Sequence, residues 1–222
     1  MLSAIEIARL QDSCTSRWHI QDPSVPLELE NEFLHVKEHD FLNEEDHELI
    51  HKEEHDFLHK VAEQHLANFE LWHEEDKARA PGASDHDIAD VKHSIDRINQ
   101  RRNDLAEACD ELLMRWLKVR GLPSPAAELH SETPGLIIDR LSILSLKLFH
   151  THEEMIRTDA PAGHADRNRE RFAILSSQQA DLVGSLDRLW QQVLAGERRI
   201  KLYRQLKMYN DPTLNPVVYG RK

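Results

Sequence analysis

Residues 131–155, SETPGLIIDRLSILSLKLFHTHEEM, decide the fold of this 222-residue chain. Apolar residues lie on nearly every side of the helix that this stretch predicts, and such a helix belongs in the middle of a bundle. Thr133 is a suitable N-cap, and Pro134 follows it at the first helical position. The same helix carries four ionisable residues, Asp139, Arg140, Lys147 and His150. Because buried charges are costly unless they are paired or used, the stretch predicts a polar site beside a central helix.

The rest of the chain supplies the other helices of an all-α, antiparallel bundle. Helical patterns cover residues 3–18, 30–80, 86–119 and 166–195, and a basic helix follows Gly196 and continues to about residue 208. Ser3 and Glu6 stand in capping-box register at the first of these helices. Loops at 80–85 and 120–132 contain the glycine and proline that interrupt helices. We expect one all-helical domain over residues 1–222, with an acidic, His-rich helical extension at 28–60 and a docked C-terminal tail.

The net charge of −12 is distributed unevenly along the chain. Residues 28–76 hold 17 acidic and 3 basic residues, whereas residues 196–222 hold 2 acidic and 7 basic residues. The overall balance disfavours nucleic acid as a partner, since such binding depends on neutralising phosphates. An acidic arm and a basic tail can attract each other within one chain or between subunits, so a homo-oligomer is one expectation.

Composition also indicates the compartment. Cys14 and Cys109 are too few for a disulfide framework or a thiolate metal site. The N-terminus lacks a signal-peptide pattern, because Glu6 and Arg9 interrupt its apolar residues. No uncharged apolar run approaches the roughly 18 residues of a membrane span. We therefore expect a cytoplasmic protein that makes no contact with a membrane.

The acidic arm contains histidines at helical spacing within an internal repeat. Residues 32–42 match residues 48–58 at 7 of 11 positions. Four-residue spacings join His35 to His39 and connect His47, His51, His55 and His59. Such neighbours share a helix face and can chelate a metal ion. In a segment this rich in Glu and His the spacing also arises by chance, so a solvated acidic face is the alternative.

Two further helix faces combine polar residues that suggest a ligand site. Along 65–79, one arc of the helix collects His65, Asn68, Phe69, Trp72, Glu75, Asp76 and Arg79. Along 91–113, a polar stripe beside the apolar one contains Lys92, Asp96, Asn99, Gln100, Asn103, Glu107 and Asp110. Fixed amide and carboxylate groups build hydrogen-bond networks, and carboxylates three residues apart on a helix can hold a divalent cation. A helix–helix seam and a solvated surface remain the respective alternatives.

These segments resemble an uncharacterised bacterial family, domain of unknown function 4254. The resemblance rests on NFELWHEEDKAR, VKHSIDRINQRRNDLAEACDELL, SETPGLIIDRLSILSLK and KMYNDPTLNPVVYG, which cover most of residues 60–156 and 178–219. The family has no settled function to carry over. Its members often occur in envelope-glycan gene settings, which implies a sugar or sugar-phosphate ligand. The repeated segment 32–59 departs from the family pattern, which implies that the histidine arm is not the shared site.

The first functional hypothesis is a polar interhelical pocket that binds or turns over an anionic small molecule, such as a sugar phosphate or a nucleotide-like compound. In this hypothesis His65 and Asp139 are the catalytic groups, because an imidazole changes charge near neutral pH. The ligand would contact Trp72, Asn99, Asn103, Arg140 and Lys147. A divalent ion (Mg, Mn, Zn or Fe) would be held by Glu75, Asp76, Asp96 and Glu107.

Two alternatives stay open at this point. The chain could be a non-catalytic helical scaffold, in which buried polar networks fix the register of the helices. The His/Glu-rich arm at 32–59 could instead store or sense a metal. The sequence does not determine whether the chain is an enzyme.

Overall fold

The structure is a computed structural model that describes residues 3–25, 44–206 and 213–220. Its elements, in chain order, are α1 (Ala4–Trp18), α2 (Glu44–Lys77), α3 (Asp85–Val119), β1 (Glu128–Leu129), α4 (Pro134–Ile156), α5 (His164–Leu194), β2 (Arg198–Arg199) and α6 (Pro216–Tyr219). The fold is mostly helical, as the sequence predicts. None of the described helices is both long and apolar enough to cross a membrane.

Helix α4 is the central element of the bundle, which confirms the prediction from its sequence. It contacts each of the other four long helices, α1, α2, α3 and α5. Its buried apolar residues are Ile137, Ile138, Leu141, Leu144 and Leu146. Burying side chains of this size away from water contributes about 1.5–3 kcal/mol each. The two hairpins α2–α3 and α4–α5 make the most extensive helix contacts in the bundle.

The N-terminus of α4 is held against α3 by a carboxylate and a glycine. Thr133 is the N-cap, and its hydroxyl donates to Asp110 Oδ2. Gly135 N donates to Asp110 Oδ1 at 2.8 Å. A Cβ on Gly135 would lie 2.3 Å from the carbonyl oxygen of Ala106, so a larger residue cannot replace this glycine without a shift of the helix. This joint sets the position of α4 along α3.

Capping differs between the predicted helix starts. Ser84 forms a capping box with Asp87, and the Ser84 N–H donates to the Asp87 carboxylate at 2.9 Å. Ser3 precedes α1 but makes no side-chain capping hydrogen bond, so the capping box predicted for Ser3 and Glu6 does not form. The Ala4 N–H instead donates to Asp187 Oδ1 on α5 at 2.9 Å, which anchors the start of α1 to the bundle.

The predicted basic helix after Gly196 is wrong. Gly196 adopts φ 73°, and the chain then forms β2, which pairs in parallel with β1 through Glu128↔Arg198 and Leu129↔Arg199. Tertiary contacts override the helix propensity of this segment, because Ile200 is buried and the segment pairs with the loop before α4. The segment after β2 then lies on α3, where Arg204 contacts Glu107 and Glu111 at 3.2 and 2.6 Å.

The N-terminal extension is only partly described. The helix predicted over 30–80 is α2, which is described from Glu44 to Lys77. The first copy of the repeat, 32–42, and its histidines His35 and His39 lie outside the described residues. In the second copy, Phe57 and Leu58 are buried in the core, so this part of the segment belongs to the bundle.

Candidate metal centre and adjoining grooves

A polar network lies beside α4, at the position that the sequence indicates. Asp139 Oδ1 accepts from Asn68 Nδ2 at 2.9 Å and from the amide of Gln64. The same Asn68 amide contacts Ser142 Oγ at 2.9 Å. Burial raises the pKa of Asp139, and the Arg102 guanidinium 3.8 Å away counteracts only part of that rise. The network joins α2 to α4 in the interior of the bundle.

His65 belongs to this interior network. Its Nε2 lies 2.9 Å from Thr15 Oγ1 and its Nδ1 lies 2.7 Å from Ser142 Oγ. The ring stacks on Trp18, and its side chain is fully buried. Burial lowers the pKa of His65 to about 3, so the imidazole is neutral at physiological pH. Both His65 and Asp139 make hydrogen bonds inside the core. Their predicted role in acid–base catalysis stays a prediction.

The carboxylates predicted as metal ligands do not converge. Three of them face a cation: Glu75 pairs with Arg79, Asp96 with Lys92 and Glu107 with Arg204. Asp76 is exposed. Across the described residues, these four carboxylates do not form a group able to hold an ion. Asp110, also part of the predicted polar stripe, accepts hydrogen bonds with both carboxylate oxygens, from Thr133 and from the Gly135 N–H at the start of α4.

The structure brings together three histidines that the sequence does not connect. His19 follows the last residue of α1, His73 lies on α2 and His150 lies on α4. One ring nitrogen of each lies within 4.8 Å of the others. Within the described part of the chain, this is the group of His, Cys, Asp and Glu side chains with the spacing of metal ligands. It forms the candidate metal centre.

Hydrogen bonds fix the proton on two of these rings. His19 Nδ1 lies 2.7 Å from the Thr15 carbonyl, which can only accept, so Nδ1 carries the hydrogen. His150 Nδ1 donates to Glu153 Oε2 at 2.9 Å. The Nε2 atoms of His19 and His150 are buried and have no hydrogen-bond partner. A metal-ligating histidine has this arrangement, in which the second nitrogen donates to a carbonyl or carboxylate.

Aromatic rings surround the three imidazoles. His19 stacks on Phe149 with centroids 4.0 Å apart, and His150 stacks on Trp72 at 4.8 Å and 9°. The edge of Phe69 meets His73 at 4.5 Å. Burial, followed by the charges of His19 and His150, lowers the pKa of His73. The rings are therefore held in place, and the neutral, metal-binding form of His73 is favoured.

Three grooves adjoin Trp72 and the outer side of α4. The first, about 440 Å³ between α4 and α5, is lined by His150, Trp72 and Lys147 among others. The second, about 380 Å³, contains Trp72, Glu75, Asp76, Arg79 and Arg102. The third, about 470 Å³, contains Arg140, Lys147 and Asp181. The predicted ligand residues Trp72, Arg140 and Lys147 thus lie on connected surfaces.

Two of the predicted ligand residues, Arg140 and Asn103, also have local partners. Arg140 pairs with Glu132 at 2.8 Å, at the exposed edge of the third groove. Asn103 Nδ2 donates to the Asn99 carbonyl one turn earlier on α3, at 2.9 Å. In the histidine arm, the rings of His55 and His59 stack with centroids 6.2 Å apart.

Sequence reasoning missed the candidate metal centre for an identifiable reason. His19 lies beyond the end of its helix, so it has no periodic relation to any other ligand. His73 and His150 sit on separate helices, and only the packing of α2 on α4 brings them together. A usable signal was that each of the three histidines directly follows an aromatic residue, namely Trp18, Trp72 or Phe149.

Comparison with known proteins identifies a family but no activity. A family described as "Protein of unknown function (DUF4254)" matches residues 58–202, which include two of the three histidines and the whole of α3, α4 and α5. No curated protein and no solved structure matches the chain.

Proposed function

The chain belongs to the DUF4254 family, whose description assigns no activity. We propose a function from the candidate metal centre. The protein binds a divalent transition-metal ion at His19, His73 and His150 and uses it to bind or turn over an anionic small molecule. The observation that carries this proposal is the pair of buried Nε2 atoms without hydrogen-bond partners, on His19 and His150, in a group of three imidazoles whose ring nitrogens lie within 4.8 Å of one another.

The donor set favours one class of ion. Three imidazole nitrogens suit Zn²⁺ and neighbouring transition metals, whereas Mg²⁺ prefers oxygen ligands. Nitrogens bound to one tetrahedral ion lie about 3.4 Å apart, so the observed separation of up to 4.8 Å requires only small ring movements. Three protein ligands leave a fourth position open, as in catalytic rather than structural zinc sites.

The surrounding residues support chemistry at that open position. When bound, a divalent ion of this kind lowers the pKa of a coordinated water toward about 7. The Thr15 carbonyl and the Glu153 carboxylate orient two of the rings. The His73 side chain is 38% exposed, so this side of the centre is open to solvent. The network around Asp139 holds α2 against α4 and so keeps His73 opposite His150.

Metal analysis tests the proposal. The chain, stripped with a chelator and dialysed against Zn²⁺, Co²⁺, Fe²⁺ or Mn²⁺, is expected to retain one ion per chain, with Zn²⁺ or Co²⁺ bound most tightly. His73→Ala and His150→Ala each remove the ion while the far-ultraviolet circular dichroism stays that of the wild type. His86→Ala is the matched control, since His86 is exposed on α3 and pairs with Asp90.

A second control separates the centre from the histidine arm. Simultaneous replacement by alanine of His35, His39, His47 and His51 leaves the ion in place if the centre is at His19, His73 and His150. Loss of the ion in that variant, or retention of a full equivalent in folded His73→Ala, would contradict the proposal. Deleting the whole arm is a poorer test, because Phe57 and Leu58 are core residues.

A further inference from the structure

The groove between α4 and α5 has the features of a phosphate subsite beside the candidate metal centre. We propose that it binds an organic phosphate, with the phosphate between Lys147 and Arg171 and the organic part along Trp72 and Ile174. This inference deepens the proposed function, on which it rests for the role of the neighbouring metal.

Charge pairing singles out this groove. Lys147 and Arg171 both line it, and neither forms an ion pair with any carboxylate of the described chain. The acidic residue of the groove, Glu154, is engaged by Arg157 at 2.8 Å and by His164 at 2.6 Å. Two cations without counterions therefore share one concave surface of a protein whose net charge is −12. An anion bound there gains attraction from both.

One of the two cations is oriented by a buried partner. Arg171 Nη1 donates to Asn168 Oδ1 at 3.2 Å. Asn168 is only 3% exposed, and its own amide donates to the carbonyl of His164 at 3.0 Å. The guanidinium therefore has a fixed approach from α5, while Lys147 supplies a flexible ammonium from α4. A planar fork and a point charge on opposite walls match the several acceptor oxygens of a phosphate.

The remaining wall of the groove is apolar. Trp72, Ile174 and Leu175 line it, and the Ile174 side chain is 58% exposed, so an organic group in the groove can cover it. Such a wall covers a ring or a hydrocarbon but gains nothing from inorganic phosphate. His150 lies in the same wall and also belongs to the candidate metal centre, so a ligand in the groove lies one side chain from the ion.

Calorimetric titration of the chelator-treated full chain with phenyl phosphate and with inorganic phosphate tests the subsite. Phenyl phosphate is expected to bind more tightly than inorganic phosphate. Lys147→Ala and Arg171→Ala are each expected to weaken phenyl phosphate binding about three- to tenfold. This is the range for the loss of one charged contact that is exposed or half-buried. Arg169→Ala is the matched control, because Arg169 lies on the same helix but pairs with Asp166, and it leaves the dissociation constant unchanged.

The same titration with His73→Ala distinguishes this inference from the metal proposal. Retained binding of phenyl phosphate in this variant supports a subsite formed by the protein itself. Binding that appears only with metal and disappears in His73→Ala overturns the subsite and leaves the proposed function standing. An absence of saturable binding, or an equal loss in Arg169→Ala, also overturns it. Groove binding without any metal binding overturns the metal proposal alone.

Discussion

Replacement of Gly135 by alanine tests the joint that positions α4. The Cβ of an alanine at this position would lie 2.3 Å from the Ala106 carbonyl oxygen and 2.9 Å from the Asp110 carboxylate. Ordinary contact begins near 3.4 Å, so the start of α4 must move by about 1 Å away from α3. A movement of that size takes the 2.8 Å bond from Gly135 N to Asp110 beyond hydrogen-bond range.

The magnitude follows from three contributions. Overpacking costs about 1–3 kcal/mol, and loss of a hydrogen bond to a buried carboxylate costs about 1.5–3 kcal/mol. The better helix propensity of alanine returns at most about 1 kcal/mol. The free energy of unfolding therefore falls by about 2–5 kcal/mol, which lowers Tm by about 5–15 °C for a domain of this size.

Urea and thermal unfolding followed by circular dichroism measure this loss, with Gly184→Ala as the control. A Cβ at Gly184 meets no atom within 4 Å, and the residue lies inside α5. That substitution is expected to stabilise the chain by about 0.5–1 kcal/mol. The two Gly→Ala changes thus have opposite signs. A Gly135→Ala chain as stable as the wild type would refute the close approach of α3 and α4.

Three further substitutions probe the interior and the site. Burial raises the pKa of Asp110 from 3.8 to about 6, so the folded chain keeps a proton that the unfolded chain loses. The stability of the wild type relative to Asp110→Asn is therefore highest below about pH 4 and falls by about 3 kcal/mol as the pH rises through 6. Urea unfolding of both chains across this pH range measures the difference, and a difference independent of pH would contradict the prediction. Glu153→Gln is expected to weaken metal binding about tenfold, because it removes the anionic acceptor of the His150 N–H. Competition with a chelator measures this affinity, and the control Glu170→Gln is expected to leave it unchanged. His65→Phe lowers the free energy of unfolding by about 1–3 kcal/mol without changing metal stoichiometry, and loss of the ion from the folded variant would assign His65 to the centre.

The fold was predictable because its decisive signals are local. Thr133, Pro134 and the apolar residues that follow specify α4 and its central place without reference to distant segments. The same holds for Ser84 and Asp87 at the start of α3. The error after Gly196 arose because β2 depends on a partner strand some 70 residues earlier, which no local pattern reveals.

The polar site was predictable only in part. The position of Asp139 on the central helix, and the meeting of Lys147 with Arg140 in one groove, follow from helix periodicity. The candidate metal centre does not, because its three histidines come from separate elements, and the crossing of α1, α2 and α4 decides which histidines meet. Carboxylates at helical spacing gave a stronger sequence pattern than these histidines, yet most of them pair with neighbouring cations.

Anomalous diffraction from crystals of the zinc-loaded chain tests the metal centre most directly. Data collected above and below the zinc absorption edge locate the ion without assumptions about its ligands. We expect one peak within bonding distance of Nε2 of His19, Nε2 of His150 and one ring nitrogen of His73. A peak bound only by the histidines of the arm, or no peak among these three rings at saturating zinc, would contradict it.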